Sequence, residues 1–178
     1  MAYISKPFST APVKPHSTMP ENNTIRLRPI EASDEDFLLR LYASTREAEL
    51  ALVPWDDAQK AAFARFQYLA QLAHYQSEYP AATQQLVLFD EQPAGRLYLH
   101  RRAHEWRILD YTLAPEQREH PAGAQLIRTL MDEAAAAGLP LNTHLEPGNW
   151  AFDLFAQLGF APTTHTDAHV LYEWRAPQ

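Results

Sequence analysis

The feature that most constrains the fold is a change of hydrophobic period near residue 80. From Ser33 to Pro80 the apolar residues recur at helical spacing. Beyond it, three segments alternate as strands do: residues 85–89, 94–100 and 107–113. Strands joined by such short polar links predict an antiparallel meander. Helical spacing returns at residues 121–137, before a short strand at 141–145, and this order predicts a right-handed crossover that joins two parallel strands.

The N-terminal half predicts one strand and two helices. The strand covers residues 24–29, and the first helix extends from Ser33, the expected N-cap, to about residue 47. The second helix follows Pro54 and ends before Pro80. Its expected inward face consists of Phe63, Phe66, Ala70 and Ala73.

The C-terminal part predicts a further helix and two strands. The helix covers residues 149–158 and is closed by Gly159, and the strands lie near residues 160–165 and 169–175. In the helix at 121–137 we expect four residues to face inward, namely Leu126, Ile127, Leu130 and Ala134. The whole pattern predicts one mixed α/β domain over residues 24–178.

Composition excludes several classes of function. The chain has no cysteine, which excludes disulfides, thiolate metal sites and a cysteine nucleophile. The formal charge of −7 argues against nucleic acid as a partner, because phosphate contacts need a clustered basic surface. Neither an apolar run of membrane-spanning length nor the apolar stretch of a secretory signal is present. We therefore expect a cytoplasmic protein without a membrane partner.

The first 23 residues differ in composition from the rest. They include four prolines, several serines and threonines, and few large apolar residues. Such a segment buries too little apolar surface to offset the entropy of ordering it. Residues 1–23 are therefore expected to form a disordered or loosely docked tail.

The stretch LAPEQREHPAGA, residues 113–124, leads from the end of a strand to the start of a helix. Such a junction directs backbone N–H groups and the positive end of a helix dipole at one place, which suits a pyrophosphate. Every strand-to-helix turn has such amides, and most of them bind only water. The junction alone leaves both interpretations open.

In this context the chain resembles the GNAT acetyltransferase superfamily. The family loop reads Arg/Gln-x-x-Gly-x-Gly/Ala, and residues 118–123 here read REHPAG. The family then shows Asn-x-Ala, followed by Leu-Tyr, three residues and Gly-Phe, and this chain has NWA at 149–151 and LFAQLGF at 154–160. The resemblance covers residues 24–175. It implies the GNAT fold, a mixed central sheet of about six or seven strands with four helices.

The resemblance also implies direct acetyl transfer from acetyl-CoA to an amine held in a cleft between splayed strands. Loop amides would hold the pyrophosphate, and main-chain groups at the end of the preceding strand would meet the pantetheine arm and the thioester. Carried over position by position, the cofactor-binding residues would be Leu113, Ala114, Arg118, Ala122, Gly123, Ala124, Asn149 and Phe155.

Two positions depart from the family pattern. Pro121 stands where the loop has a glycine and, lacking an N–H, removes one phosphate donor, although proline suits the first position of a helix. Phe155 stands where many relatives have the tyrosine assigned to protonate the departing thiolate, and it is also a plain core residue of its helix. General acid help is typically worth about 10²–10⁴-fold, so the sequence predicts a slow enzyme.

A base is needed because the amine must be neutral to attack. Glu146, at the end of the strand 141–145, is one candidate. Asp110 is the other, and in its apolar strand a carboxylate needs a partner or must take up a proton. It is either an acid/base group or half of a structural ion pair with an arginine such as Arg96 or Arg107. No HExxH helix is present, and the implied chemistry needs no metal.

The sequence favours two functions over a third, a structural or assembly role in which the proline-rich tail docks on a partner. The leading hypothesis is an N-acetyltransferase that uses acetyl-CoA and accepts an amine of a small molecule or of a protein. The alternative is a catalytically impaired protein of the same fold that binds CoA or another ligand as a regulatory module. A homodimer through the C-terminal strands is compatible with the sequence, which does not decide it.

Overall fold

The computed structural model describes residues 24–146, 148–165 and 170–177. The expected tail, residues 1–23, lies outside the described residues. Within the described part, no helix combines the length and the apolar composition that crossing a membrane requires.

The N-terminal part holds one strand and three helices, namely β1 (Ile25–Pro29), α1 (Glu35–Thr45), α2 (Glu47–Leu50) and α3 (Asp57–Glu78). A capping box starts α3: Asp56 Oδ1 accepts from the Gln59 N–H at 2.8 Å, and Gln59 Oε1 accepts from the Asp56 N–H at 3.0 Å. This confirms the helix expected after Pro54. The short helix α2 was not predicted from the sequence.

The expected N-cap at Ser33 is wrong. A 3₁₀ turn, Ala32–Asp34, precedes α1, and Asp34 is the residue that leads into the helix. Its buried carboxylate accepts two hydrogen bonds of 2.7 Å from the Arg28 guanidinium and one of 2.8 Å from the Glu31 N–H. These bonds, above all those from Arg28, lower the pKa of Asp34. The strand β1 is thereby tied to the start of α1.

The remaining elements complete a seven-stranded mixed sheet, with β2 (Thr83–Phe89), β3 (Gln92–Arg101), β4 (Trp106–Leu113), α4 (Pro121–Ala136), β5 (Leu141–Leu145), α5 (Phe152–Gln157), β6 (Ala161–His165) and β7 (Val170–Trp174). The strand order is β1-β2-β3-β4-β5-β7-β6. Among the described strands, β4 and β5 pair in parallel and the other neighbouring pairs are antiparallel. The meander and the parallel crossover strands are therefore confirmed.

Helices cover the sheet on both faces. In β2, Leu86 and Leu88 pack with α1 and α3, whereas Val87 and Phe89 pack on the opposite face with α4 and α5. This period-two alternation is the expected signature of a strand between two layers. The four inward residues predicted for α4 are all buried in the apolar cluster that contains Val87 and Phe89.

The predicted inward face of α3 is wrong. Phe66 is 71% exposed, and the buried residues of the helix are Ala64 and Tyr68. One turn and two turns beyond Tyr68, Gln71 and Tyr75 continue this face along the helix. The first half of α3 thus packs on the apolar cluster through Ala64 and Tyr68, whereas its second half presents Gln71, which bonds to Arg96, and Tyr75.

The parallel pairing of β4 with β5 is short. It joins Trp106 to Leu141, Arg107 to Asn142 and Ile108 to Thr143, and it ends there. The next residue of β4, Leu109, falls at a break in the register with β3 and forms a β-bulge. Beyond this point the two strands diverge and form a wedge between them.

A polar network holds the closed end of the wedge. Glu105 accepts from Arg107 Nη2 at 2.9 Å and from Asn142 Nδ2 at 2.7 Å, and Asn142 Oδ1 accepts from Arg107 Nε at 2.9 Å. Burial alone would raise the pKa of Glu105, but the Asn142 hydrogen bond and the arginine charges lower it. The two strands are thereby pinned together where their pairing begins.

Gly95 lies where two strands approach closely. A Cβ there would come within 2.2 Å of the Thr112 carbonyl oxygen and 3.0 Å of the Leu113 Cα, both in the backbone of β4. We predict that Gly95→Ala lowers the free energy of unfolding by about 1–3 kcal/mol or more through overpacking. Urea denaturation measures this loss.

Gly123→Ala is the matched control. There the nearest atoms are side-chain ends, Leu113 Cδ1 at 3.0 Å and the Tyr111 hydroxyl at 3.1 Å. Alanine also favours the helix by roughly 0.5–1 kcal/mol. We expect a clearly smaller loss than at Gly95, and equal losses would contradict the assignment of the backbone contact.

Candidate active site

The wedge opens onto a cavity of about 1090 Å³. Its walls come from the α1–α2 connection, the second half of α3, the diverging parts of β4 and β5, and the segment before α5. Residues from the central strands and from the helices on both faces of the sheet therefore line the same cavity. Asp110, Arg118, Glu146, Asn149 and Phe155, predicted as site residues from separate parts of the sequence, all line this cavity.

A buried ion pair forms the floor of the cavity. Arg96 Nη2 donates to Asp110 Oδ2 at 2.6 Å and to Gln71 Oε1 at 2.7 Å, and the two charged side chains are 2% and 7% exposed. The other carboxylate oxygen, Asp110 Oδ1, accepts from the Thr112 hydroxyl at 2.7 Å. Both oxygens of Asp110 are thus engaged within the protein.

Aromatic rings surround the buried guanidinium. The Arg96 carbon Cζ lies 5.3–5.9 Å from the ring centroids of Tyr42, Tyr68 and Tyr98, within cation–π range. Burial alone would lower the pKa of Arg96, but the Asp110 carboxylate raises it above its usual range. The arginine therefore stays charged, and of the two candidate partners for Asp110 the structure selects Arg96. Arg107 instead belongs to the network at the closed end of the wedge.

Tyr75 links α3 to the bulge. Its hydroxyl donates to the Leu109 carbonyl at 3.1 Å, and its ring packs edge-on against Tyr98 at 5.6 Å. Burial raises the pKa of Tyr75, which keeps the phenol protonated and able to donate. Sequence reasoning missed this residue because its partner is a backbone carbonyl, which leaves no mark in the sequence.

Glu146 lies at the rim of the cavity. It follows β5 directly, its side chain is exposed, and its carbonyl accepts from the Asn149 N–H at 3.1 Å. Glu47 and Glu49 of α2 are further exposed carboxylates among the lining residues, and Glu49 accepts from Arg46 Nη1 at 3.1 Å. Of the two carboxylates predicted as a base, Glu146 is therefore the solvent-accessible one.

Asn149 and Phe155 are placed by the turn before α5. The Asn149 carboxamide oxygen accepts from the Ala151 N–H at 2.9 Å and so caps this turn. Phe155 is 1% exposed and packs edge-on against Phe160, with centroids 4.9 Å apart, and against Tyr111 at 6.3 Å. Phe155 is thus a core residue whose edge borders the cavity.

The segment between β4 and α4 forms backbone hydrogen bonds with β3 and within itself. Ala114 donates its N–H to the Ala94 carbonyl at 2.9 Å, and its own carbonyl accepts from the Gln117 N–H at 2.8 Å. Leu113 is fully buried. The Arg118 side chain turns inward, with its guanidinium 5.4 Å from the Trp150 ring centroid and its Nε 3.4 Å from the Leu113 carbonyl.

The start of α4 uses two of its free amides internally. The Ala122 N–H donates to Nδ1 of His120 at 3.2 Å, and the Gly123 N–H donates to the His120 carbonyl at 3.0 Å. Ala124 lies in the same first turn and is partly exposed. The junction thus has the form of an anion site, but two amides expected on a pyrophosphate already have acceptors in the protein.

Comparison with known proteins places this geometry in context. A sequence model of the acetyltransferase (GNAT) family matches residues 36–160. A comparison with curated proteins gives no match.

Solved structures resemble the whole described fold. The PaiA N-acetyltransferase of Thermoplasma acidophilum, in complex with coenzyme A, has a TM-score of 0.62 at 16% identity, over 86% of this chain and 99% of that chain. An acetyltransferase of Thermus thermophilus has a TM-score of 0.58 at 18% identity, over 86% and 97%. The ribosomal-protein-S18-alanine N-acetyltransferase of Escherichia coli has 0.54 at 16%, over 85% and 94%. At these identities the likeness concerns the fold.

The buried ion pair predicts a large stability effect. Asp110→Ala leaves the Arg96 guanidinium charged and without its carboxylate, so we predict a loss of about 3–5 kcal/mol in the free energy of unfolding. The control is Glu133→Ala, which removes the partner of Arg101 in a half-exposed pair of 3.0 Å and should cost under about 1 kcal/mol. Similar losses in urea denaturation for both variants would contradict the structural role of Asp110.

Proposed function

Because the chain belongs to the GNAT acetyltransferase family, we propose that it transfers an acetyl group from acetyl-CoA directly to an amine of a small molecule or a protein. The observation that carries this proposal is the wedge. β4 and β5 pair over three residues and then diverge beside a cavity of about 1090 Å³. A linear donor and an amine can meet there without a covalent enzyme intermediate.

The wedge supports binding of the donor arm. Beyond Ile108, β4 has no pairing with β5, so the edge of β4 that faces the wedge leaves main-chain groups available to a ligand. The amide groups of a pantetheine arm can pair with such an edge as a strand does. The Leu109 bulge lies where this edge begins, and the Tyr75 hydroxyl holds its carbonyl.

The cavity rim supports binding of a cationic acceptor. Glu47 and Glu49 from α2 and Glu146 after β5 put three exposed carboxylates among the lining residues, and of these Glu49 is paired with Arg46. An ammonium group is attracted there and must lose a proton before its nitrogen attacks the thioester carbonyl. As the new C–N bond forms, the C–S bond breaks, and the sulfur leaves as a thiolate.

Glu146 is our proposed base. Its carboxylate is open to solvent at the cavity, whereas both oxygens of Asp110 are held by Arg96 and Thr112. A base must reach the proton that it removes, in a direct contact or through one water molecule. Asp110 then has an indirect role, because its ion pair with Arg96 fixes β4, the strand that borders the reaction site.

A second candidate function is a module that binds CoA or another ligand without turnover. The observation in its favour is Phe155, which is buried among aromatic rings and offers no proton donor to a departing thiolate. Thiolates are adequate leaving groups in water, so this loss lowers a rate more than it lowers affinity. Binding without turnover separates this function from the first.

The assay combines calorimetry with thiol release, using acetyl-CoA and a panel of amines. We expect binding and slow thiol release by the wild type, and a rate at least about tenfold lower for Glu146→Gln, in line with the usual contribution of a general base. Glu78→Gln is the control, since Glu78 is an exposed carboxylate at the end of α3 that does not line the cavity.

The outcomes distinguish the candidates. Binding of acetyl-CoA without thiol release for any amine favours the binding module. Equal rates for both glutamine variants would remove Glu146 from the mechanism. If acetyl-CoA neither binds nor releases thiol, the acetyltransferase function and a CoA-binding module are both overturned.

A further inference from the structure

The start of α4 carries a side chain in the place that an anion would take. We infer that His120 competes with the pyrophosphate of the donor for the Ala122 amide, and thereby sets the affinity of the protein for CoA. This inference rests on the proposed function. It assigns to His120 a role in donor affinity that is separate from the acetyl transfer step.

The first turn of a helix normally offers several free N–H groups to an anion. Here Pro121 has no N–H, the Ala122 N–H donates to His120 Nδ1 at 3.2 Å, and the Gly123 N–H donates to the His120 carbonyl at 3.0 Å. One residue therefore accepts from both of the first two amides of α4. A pyrophosphate placed on this turn must displace the imidazole or bind without the Ala122 donor.

The imidazole is held in place by its surroundings. Its ring stacks on Phe89, with centroids 4.9 Å apart and an angle of 21° between the planes. Phe89 is buried at the end of β2 and offers a rigid platform. The contact is thus a formed cap, comparable to the side-chain N-caps of other helices.

The charged residues next to His120, Glu119 and Arg118, do not compensate a phosphate for the loss of the Ala122 amide. Glu119, adjacent to His120, is exposed and negative, which disfavours an anion. Arg118 is the basic residue of the loop, but its guanidinium lies on the Trp150 ring. A phosphate must therefore gain its affinity largely from backbone amides. The loss of the Ala122 amide to the imidazole therefore lowers that affinity.

The test compares two substitutions at the same position. His120→Ala frees the Ala122 amide, and one hydrogen bond to a charged group corresponds to about tenfold in affinity or more. We expect CoA to bind His120→Ala about tenfold more tightly than the wild type in isothermal titration calorimetry. His120→Asn keeps a capping acceptor and should bind CoA as the wild type does.

Pantetheine is the control ligand, because it has the arm of CoA and no pyrophosphate. Its affinity should be the same for all three proteins. The alanine variant should also melt about 2–4 °C lower, since it loses its cap, whereas the asparagine variant should not.

A measurement on the wild type covers the case in which His120→Ala fails to fold. In NMR spectra, saturating CoA should shift the Ala122 amide and the His120 ring resonances together, and pantetheine should leave both in place. His120 resonances that do not respond to CoA would overturn the inference.

The remaining outcomes also decide. Equal or weaker CoA binding by His120→Ala overturns the competition but leaves the proposed function intact. If neither pantetheine nor CoA binds to any of the three proteins, the proposed function fails together with the inference, because the protein then has no site for the donor. Tighter binding of CoA alone by the alanine variant supports the inference.

Discussion

The rest of the structure depends on a parallel strand pair that lasts only three residues. Glu105, Arg107 and Asn142 bond to one another and pin β4 to β5 at its closed end. A bulge at Leu109 follows immediately, and the strands separate. A continuous pairing would fill this space with backbone hydrogen bonds. The early end of the pairing creates both the cavity and an edge of β4 to which a ligand can bind.

Beyond Ile108, β4 lacks the hydrogen bonds that continued pairing with β5 would have given, so other contacts must hold it in place. The Arg96–Asp110 pair and the Tyr75–Leu109 hydrogen bond attach the diverging part of β4 to β3 and to α3. A buried ion pair is a weak source of net stability, but leaving one partner alone is costly, so it enforces one arrangement. The pair thereby holds the floor of the cavity in one arrangement.

Much of the fold could be predicted because strands and helices follow from local periodicity. The strands of the meander, the helix α4 with its buried face, and the family loop were all found in the sequence. The inward face of α3 was not, because apolar spacing selected Phe66 and its neighbours. The structure instead turns Gln71 and Tyr75 toward the floor, since a charged pair lies opposite. A helix face is chosen by what it packs against, and periodicity does not contain that information.

By itself, the sequence determined the order of the strands and longer helices, the family, and five of the residues that line the cavity: Asp110, Arg118, Glu146, Asn149 and Phe155. These follow from spacing along the chain, which sets secondary structure and motif. Only the tertiary structure decided which partner each of these residues has. It paired Asp110 with Arg96 rather than Arg107, buried Phe155 among aromatic rings, and stacked His120 on Phe89 over the helix start. Such partners are distant in sequence, and a side chain's chemistry depends on the atoms that packing brings within a few ångströms of it.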